Sequence, residues 1–377
     1  MCRATRASVL RRGLPIVTVA MAVATIVSPR LGAQGPPIPI SPKAKLVSAP
    51  RLRLTGDVDS NSPAVWDRVG GVSQLFVLTS FAGQPSVAHG SSVSQLGPAT
   101  PVTLEPWPGG GVWMEAIVPD VDGTWYGYYH NEIEADSVCP GSDKVIPRIG
   151  AARSRDRGRT WEQLGIILEA PASAFACDTN NEYFVNGTGD LSAVLDSDSR
   201  DVYFFFSQYE RSTSQQGVAV ARMAWADRDE PVGRLMLWRS RFWLPAAREI
   251  RTDGEAVWVY GVGVPIFATT DGWHDPGERT DAFWGPSVHW NTYLQMYVML
   301  LSRASDTEYD QEGIYVSYSP SLDDPRLWST PLKILDGGNW YPQVIGLEGG
   351  VGSDTVAGAS ARFFMAGTSQ HVIQFGK

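Results

Sequence analysis

The sequence predicts an all-β fold, a five-bladed β-propeller, and three observations predict it. One strand-and-turn pattern returns five times along the chain, as a ring of similar sheets requires. The 377 residues include 38 Gly and 26 Pro, with 11% aromatic and only 19% charged, the profile of a turn-rich β protein. No stretch carries a convincing helical period. The length would hold two average domains, but single all-β domains reach this size, so the repeat argues for one.

At the start, the basic stretch MCRATRASVLRRGLP precedes IVTVAMAVATIV, an apolar run too short for a comfortable membrane span. This predicts a signal peptide over 1–33, a mobile mature N-terminus over 34–44 and a single propeller domain over 45–377. Arg11 and Arg12 fit twin-arginine export and general export alike. The expected location is secreted or periplasmic, with no membrane span after the signal is removed. Cleavage takes away Cys2 and leaves Cys139 and Cys177, an even count that predicts one disulfide between two long loops.

Five segments open with small or aromatic residues, then alternate apolar residues up to a turn: NSPAVWD (61–67), WMEAIVPD (113–120), GDLSAVLD (189–196), FWGPSVHWN (283–291) and WYPQVIGLE (340–348). A β-prone run follows each, beginning at Leu75, Thr124, Asp201, Leu294 and Ala361, so each unit starts as a hairpin. Third strands recur at 148–156, 216–227, 312–322 and at the C-terminus, with a weaker version after the first pair. Fourth strands are visible at 160–168, 232–240 and 329–335. The last unit lacks one, and KLVSAPRLRL (45–54) is the segment expected to supply it by closing the ring. A β-sandwich would not explain five returns of one inner-strand pattern.

Ser154, Asp156, Gly158, Thr160 and Trp161 match S-x-D-x-G-x-T-W, the Asp-box of propeller hairpins. Its chemistry is that of a turn: Asp accepts backbone N–H bonds, Gly allows positive φ and Trp packs between sheets. The expected role is structural, on the face away from any site.

A net charge of −9 and the lack of a basic stripe exclude nucleic acid as partner. Inner strands of a propeller start around one axis, so polar residues at those starts should converge. They are Asp57, Asp59 and Asn61, then Glu115, Asp190, Asp281 with His289, and Trp340 with Tyr341. Carboxylates beside aromatics suit glycosidic bond cleavage, which needs a proton donor, a base and apolar faces for sugar C–H surfaces. Glu115 is the strongest candidate, because a charge inside the apolar WMEAIV is costly unless paired or used. Asp57, Asp59 and Asn61 also fit a plain Asx-turn. His130 and His289, like Trp284, Trp340 and Tyr341, are candidates for sugar contact or for core packing. The insertions at 132–147, 169–188 and 241–280 are expected to wall the pocket.

The five units, the Asp in TGDVDSNSPAVW, the Glu in VWMEAIV and the Asp in GTGDLSAVL resemble the five-bladed glycosidases of the arabinanase and β-xylosidase type. The resemblance implies a carbohydrate substrate, Asp59 as base, Glu115 as general acid and Asp190 as the residue tuning it. Asn61, His130, Asp281, Trp284, His289, Trp340 and Tyr341 would contact substrate. That family orders its carboxylates Asp, Asp, Glu, whereas here the Glu comes second, so Glu132 and Glu312 stand as alternative acids. The resemblance requires no cofactor but allows a calcium or other divalent ion on the axis, with His289 and carboxylates as ligands, in a monomer. Two other readings stay open: a sialidase-like enzyme, which would need three arginines at the site, and a non-catalytic binding propeller.

Overall fold

Nearly continuous apolar runs such as DVYFFFSQ and MYVMLLSRA bury both faces of a strand, and the chain packs them sheet against sheet. The computed structural model describes residues 42–377 apart from 172–173, 251–255, 275–276 and 278; the expected signal peptide lies outside the described residues. The fold is a five-bladed all-β propeller, and its helical residues, among those described, form only short 3-10 turns.

Each blade is an antiparallel meander that runs outward from an inner strand. The inner strands are Ala64–Val69, Gly111–Pro119, Thr188–Leu195, Phe283–Asn291 and Gln343–Gly346. The fifth blade is completed by Lys43–Arg53, which pairs antiparallel with the C-terminal strand Thr368–Gly376, with Lys43 opposite Gly376 and Arg53 opposite Thr368. The expected closing strand is therefore present, beginning at Lys43 rather than at residue 45. Val356–Ala357, in the fifth blade's first loop, adds in parallel to the inner strand of the fourth. The segment 241–280 contributes an outer strand, Phe242–Pro245, and a separate hairpin of Ala247–Ile250 with Ala256–Val259.

Five apolar clusters fill the five interfaces between neighbouring blades. The first joins Phe76 and Leu78 to Met114, Trp125 and Trp161, and the last joins Leu75 and Val77 to Ile345 and Phe364. Trp161 reaches its cluster from the Asp-box, where Asp156 accepts from Thr160 N at 2.9 Å and Thr160 Oγ1 at 2.8 Å, and Gly158 sits at φ 80°. This turn joins the last two strands of the second blade, Val145–Ser154 and Thr160–Leu168.

The inner strands are irregular where they meet. Pairing with the second strand slips at Glu115, at Asp190 and across Gly285 and Pro286. Such bulges bend a strand and re-aim a side chain. Asp190, Gly285 and Tyr341 take positive φ of 41°, 56° for Tyr341 and 55° for Gly285. For Asp190 and Tyr341 this left-handed backbone is costly and has to be imposed by the packing around it.

Candidate active site

At the starting ends of the inner strands lies a pocket of about 180 Å³. It is lined by Asp59, Trp113, His130, Glu132, Asp190 and five further aromatics besides Phe184: Tyr183, Trp284, Tyr309, Trp340 and Tyr341. Its size is below that of a typical drug-sized cleft, so it suits a small ligand or the end of a larger one.

Asp59 precedes the first inner strand and is held by two donors: Trp113 Nε1 at 2.7 Å and Ala82 N at 3.0 Å. Burial raises its carboxyl above the usual range, and the charge of Glu132 adds to that, although the two donors oppose it. Asp190 comes from the bulge of the third inner strand and accepts from the Tyr209 hydroxyl. His130 and Glu132 come from the outgoing end of the second blade's second strand, Trp125–Glu134.

The residues under the pocket form one buried group. His130 Nδ1 lies 3.4 Å from Asp190 Oδ1 and 3.8 Å from Glu115 Oε1, and Nε2 lies 3.4 Å from Glu132 Oε1. Glu115 is 2% exposed, its Oε2 accepts from Leu191 N, and its Oε1 has no hydrogen-bond partner. Burial pushes the Glu115 carboxyl up to about 7, with Asp190 adding to the effect and the imidazole opposing it. Burial works against a charge on His130, but the carboxylates of Asp190, Glu115 and Glu132 outweigh it and raise the imidazole well above its ordinary value. Asp190 N also points at Nδ1, at 3.2 Å, which suits a neutral ring. The neighbouring carboxylates favour the charged ring, and the Asp190 N–H favours the neutral one.

Glu115, His130 and Asp190 each offer one ligand atom within 4.8 Å of the others. With Glu115 Oε1 unmatched, this donor set fits a divalent ion on the axis, bound to a neutral imidazole, as well as it fits a shared proton. His289, expected beside an axial ion, is not among the residues whose ligand atoms meet. Both its ring nitrogens lack partners, its ring lies against Phe375, and burial alone pulls it down to about 3.

Of the residues singled out in the sequence, Asp59, His130, Asp190, Trp284, Trp340 and Tyr341 line the pocket together. Asn61 does not: it is buried below, and its Nδ2 donates to Leu191 O and Pro286 O at 3.0 Å each. Asp281 is also elsewhere, bonded to Thr270 N at 2.8 Å and Thr270 Oγ1 at 2.6 Å and paired with Arg303. Glu115 does not line the pocket: it sits at a register slip, buried against His130 Nδ1 and Leu191 N. Glu312 sits on the third strand of the fourth blade, paired with Lys333 and Tyr315. Among the three candidate acids, Glu132 alone lines the pocket.

Sequence reasoning missed Trp113, Tyr183, Phe184 and Tyr309. Trp113 opens the second inner strand as Trp284 opens the fourth, a parallel visible in the sequence. Tyr183 and Phe184 belong to the 169–188 insertion, which Cys139 and Cys177 tie down through the expected disulfide, with Cα atoms 5.3 Å apart. Tyr309 accepts from Asn181 Nδ2 at 2.7 Å, and its carbonyl accepts from Trp340 Nε1 at 2.9 Å, so three loops brace one another around the opening.

No protein-family model matches the sequence, and no curated protein matches it. Solved structures similar to it include an endo-arabinase from Bacteroides thetaiotaomicron, 12% identical, covering 85% of this chain and 96% of that one, with a TM-score of 0.48. The catalytic domain of an α-L-arabinofuranosidase from Coprinopsis cinerea is 10% identical over 88% of this chain and 96% of that one, at a TM-score of 0.47. An exo-β-1,3-galactanase from Phanerochaete chrysosporium is 12% identical over 88% and 63%, at 0.46. The glycosidases that the sequence resembles are thus represented among its structural neighbours. Likenesses of this size concern the fold and assign no residue roles.

Proposed function

We propose that this chain is an exported glycoside hydrolase acting in the pocket at the head of its inner strands. The observation that carries the reading is the meeting of Asp59 and Glu132, from different blades, in one small aromatic-walled pocket above a buried Glu115–His130–Asp190 group. Glycosidic cleavage uses two such carboxyl groups, one giving a proton to the leaving oxygen and one activating water or attacking carbon. Aromatic rings cover the apolar faces of the sugar and exclude bulk water.

Asp59, fixed by Trp113 and Ala82, acts as base. Glu132 acts as the acid. His130 stands beside Glu132, with Nε2 3.4 Å from its carboxylate, and Asp190, held by Tyr209, and Glu115 flank Nδ1 of the same ring. A divalent ion bound by Glu115, His130 and Asp190 would supply a fixed positive charge under the sugar. The disulfide suits an oxidising compartment and supports export. A sialidase-like reading finds no support, since among the described residues no arginine lines the pocket: Arg148 bonds Asn131, and Arg153 pairs with Glu162 and Asp229.

The test is a panel of aryl glycosides and oligosaccharides assayed with the parent, Asp59→Asn and Glu132→Gln. Each variant is expected to lose about a thousandfold in kcat/KM with its circular dichroism unchanged. Glu132→Gln should spare substrates with good leaving groups, which need no protonation. Full activity in Asp59→Asn would overturn the assignment.

A further inference from the structure

We propose that the sugar this pocket receives carries a positively charged amine, an amino sugar rather than a neutral hexose or a uronic acid. The inference rests on the hydrolase reading and adds the substrate class. Three carboxyl groups line the pocket, from Asp59, Glu132 and Asp190, and among the described residues no lysine or arginine does. With Glu132 protonated as the acid, a charged His130 offsets Asp190, or a divalent ion offsets Asp190 and Glu115 together, and in either case the Asp59 carboxylate is left uncompensated. Further negative charge acts on Tyr183, in the pocket wall, from the exposed Glu182, Glu308 and Asp310. Lys144 Nζ donates to the Glu182 carbonyl at 3.0 Å.

A neutral sugar closing this pocket would strip water from negative charge and return only hydroxyl donors. An ammonium group restores the balance, and aromatic faces such as those of Trp113, Trp284 and Tyr341 attract a cation as well. A uronate would add like charge in a poorly hydrated site. A second observation points to the sugar hydroxyls themselves. Trp284 is 2% exposed, and its indole N–H, in the pocket wall, has no acceptor. The site therefore asks for a ligand that brings an acceptor and a cation together.

Isothermal titration calorimetry on the intact, oxidised chain tests this at about pH 6, where the amines stay protonated. The probes are glucosamine, galactosamine and mannosamine, each against its neutral parent hexose and the matching uronic acid. At least one amino sugar should bind about tenfold or more tighter than its parent, with affinity falling as salt rises, and the uronates should not bind. Asp59→Asn should shrink the preference to about twofold. A parent hexose that equals or exceeds every amino sugar overturns the charge inference and leaves the hydrolase reading intact. Silence across the whole panel also overturns it. The glycoside assay of Asp59→Asn and Glu132→Gln judges the hydrolase reading separately.

Discussion

Asn61 shows how much of the centre is held by single side chains. From the first blade its Nδ2 reaches the Leu191 carbonyl of the third and the Pro286 carbonyl of the fourth. Both carbonyls lie at or beside a break in strand pairing, and the amide ties the two strands together there. Asn61→Ala would leave two buried acceptors unmatched, and the expected cost is about 2–3 kcal/mol, read as a lower urea midpoint with the slope unchanged. Gln343 does comparable work between the fifth and first blades, accepting from Ser62 N at 2.6 Å and donating to Ser62 O at 2.9 Å. In the sequence, Asn61 and Asp59 look alike, two polar residues ahead of a strand. Two positions apart in a strand they would face the same way, but the chain bends at Asp59 and Ser60, and one side chain lines the pocket while the other is buried against the third and fourth blades.

Strands were legible as elements because their alternation is a local property of the chain. The bulges were not, since a slip in pairing depends on the partner strand; that is why Glu115 was expected in the pocket and is found beneath it. The aromatic wall was half legible for a related reason. Trp284 and Tyr341 sit at strand starts, whereas Tyr183 and Tyr309 sit in loops whose course no periodicity records. The loop between Gln343–Gly346 and Ser360–Met365 carries a further element-scale consequence. It spans neighbouring blades: Asp354 accepts from Ala64 N at 3.0 Å, Gly352 O accepts from Trp66 Nε1 at 2.7 Å, and Thr355 O accepts from Trp290 N at 2.9 Å. Burial pushes the Asp354 carboxyl from 3.8 to about 7. Between those values the folded chain keeps a proton that the unfolded chain has released, so this group's contribution to stability falls as pH rises through the window. Asp354→Asn removes the charge and keeps an acceptor for Ala64. Relative to the parent, it should gain about 1–2 kcal/mol near pH 8, a figure discounted because part of the residue reaches water, and almost nothing near pH 4. Urea midpoints at both pH values check this; an equal effect at both would exclude the titration of Asp354 as the cause.

At the scale of the whole molecule, a ring of blades needs its first and last members joined. Here the chain's own start does it, since Lys43–Arg53 is the outer strand of a blade whose other strands lie at the C-terminus. Between the fifth and first blades the apolar cluster of Leu54, Ala64, Leu75, Val77, Ile345 and Phe364 is small, so covalent continuity across that seam has work left to do. Deleting residues 43–53 exposes the edge of Thr368–Gly376 and uncovers Ile373 and Phe375, and the expected product is aggregation-prone. Moving the segment separates the two roles of this strand. Because Lys43 lies opposite Gly376, a short turn after Lys377 can lead straight into 43–53 and make an ordinary hairpin, with the chain now starting at Leu54. This permuted chain restores the sheet edge without crossing the seam. It should fold to the same sheet content as the parent and unfold at a lower temperature, by roughly 5–10 °C, because the first blade can detach without pulling on the fifth. If thermal unfolding of the permuted chain matches the parent, the contacts of the seam alone hold the ring, and the strand's role is limited to covering an edge.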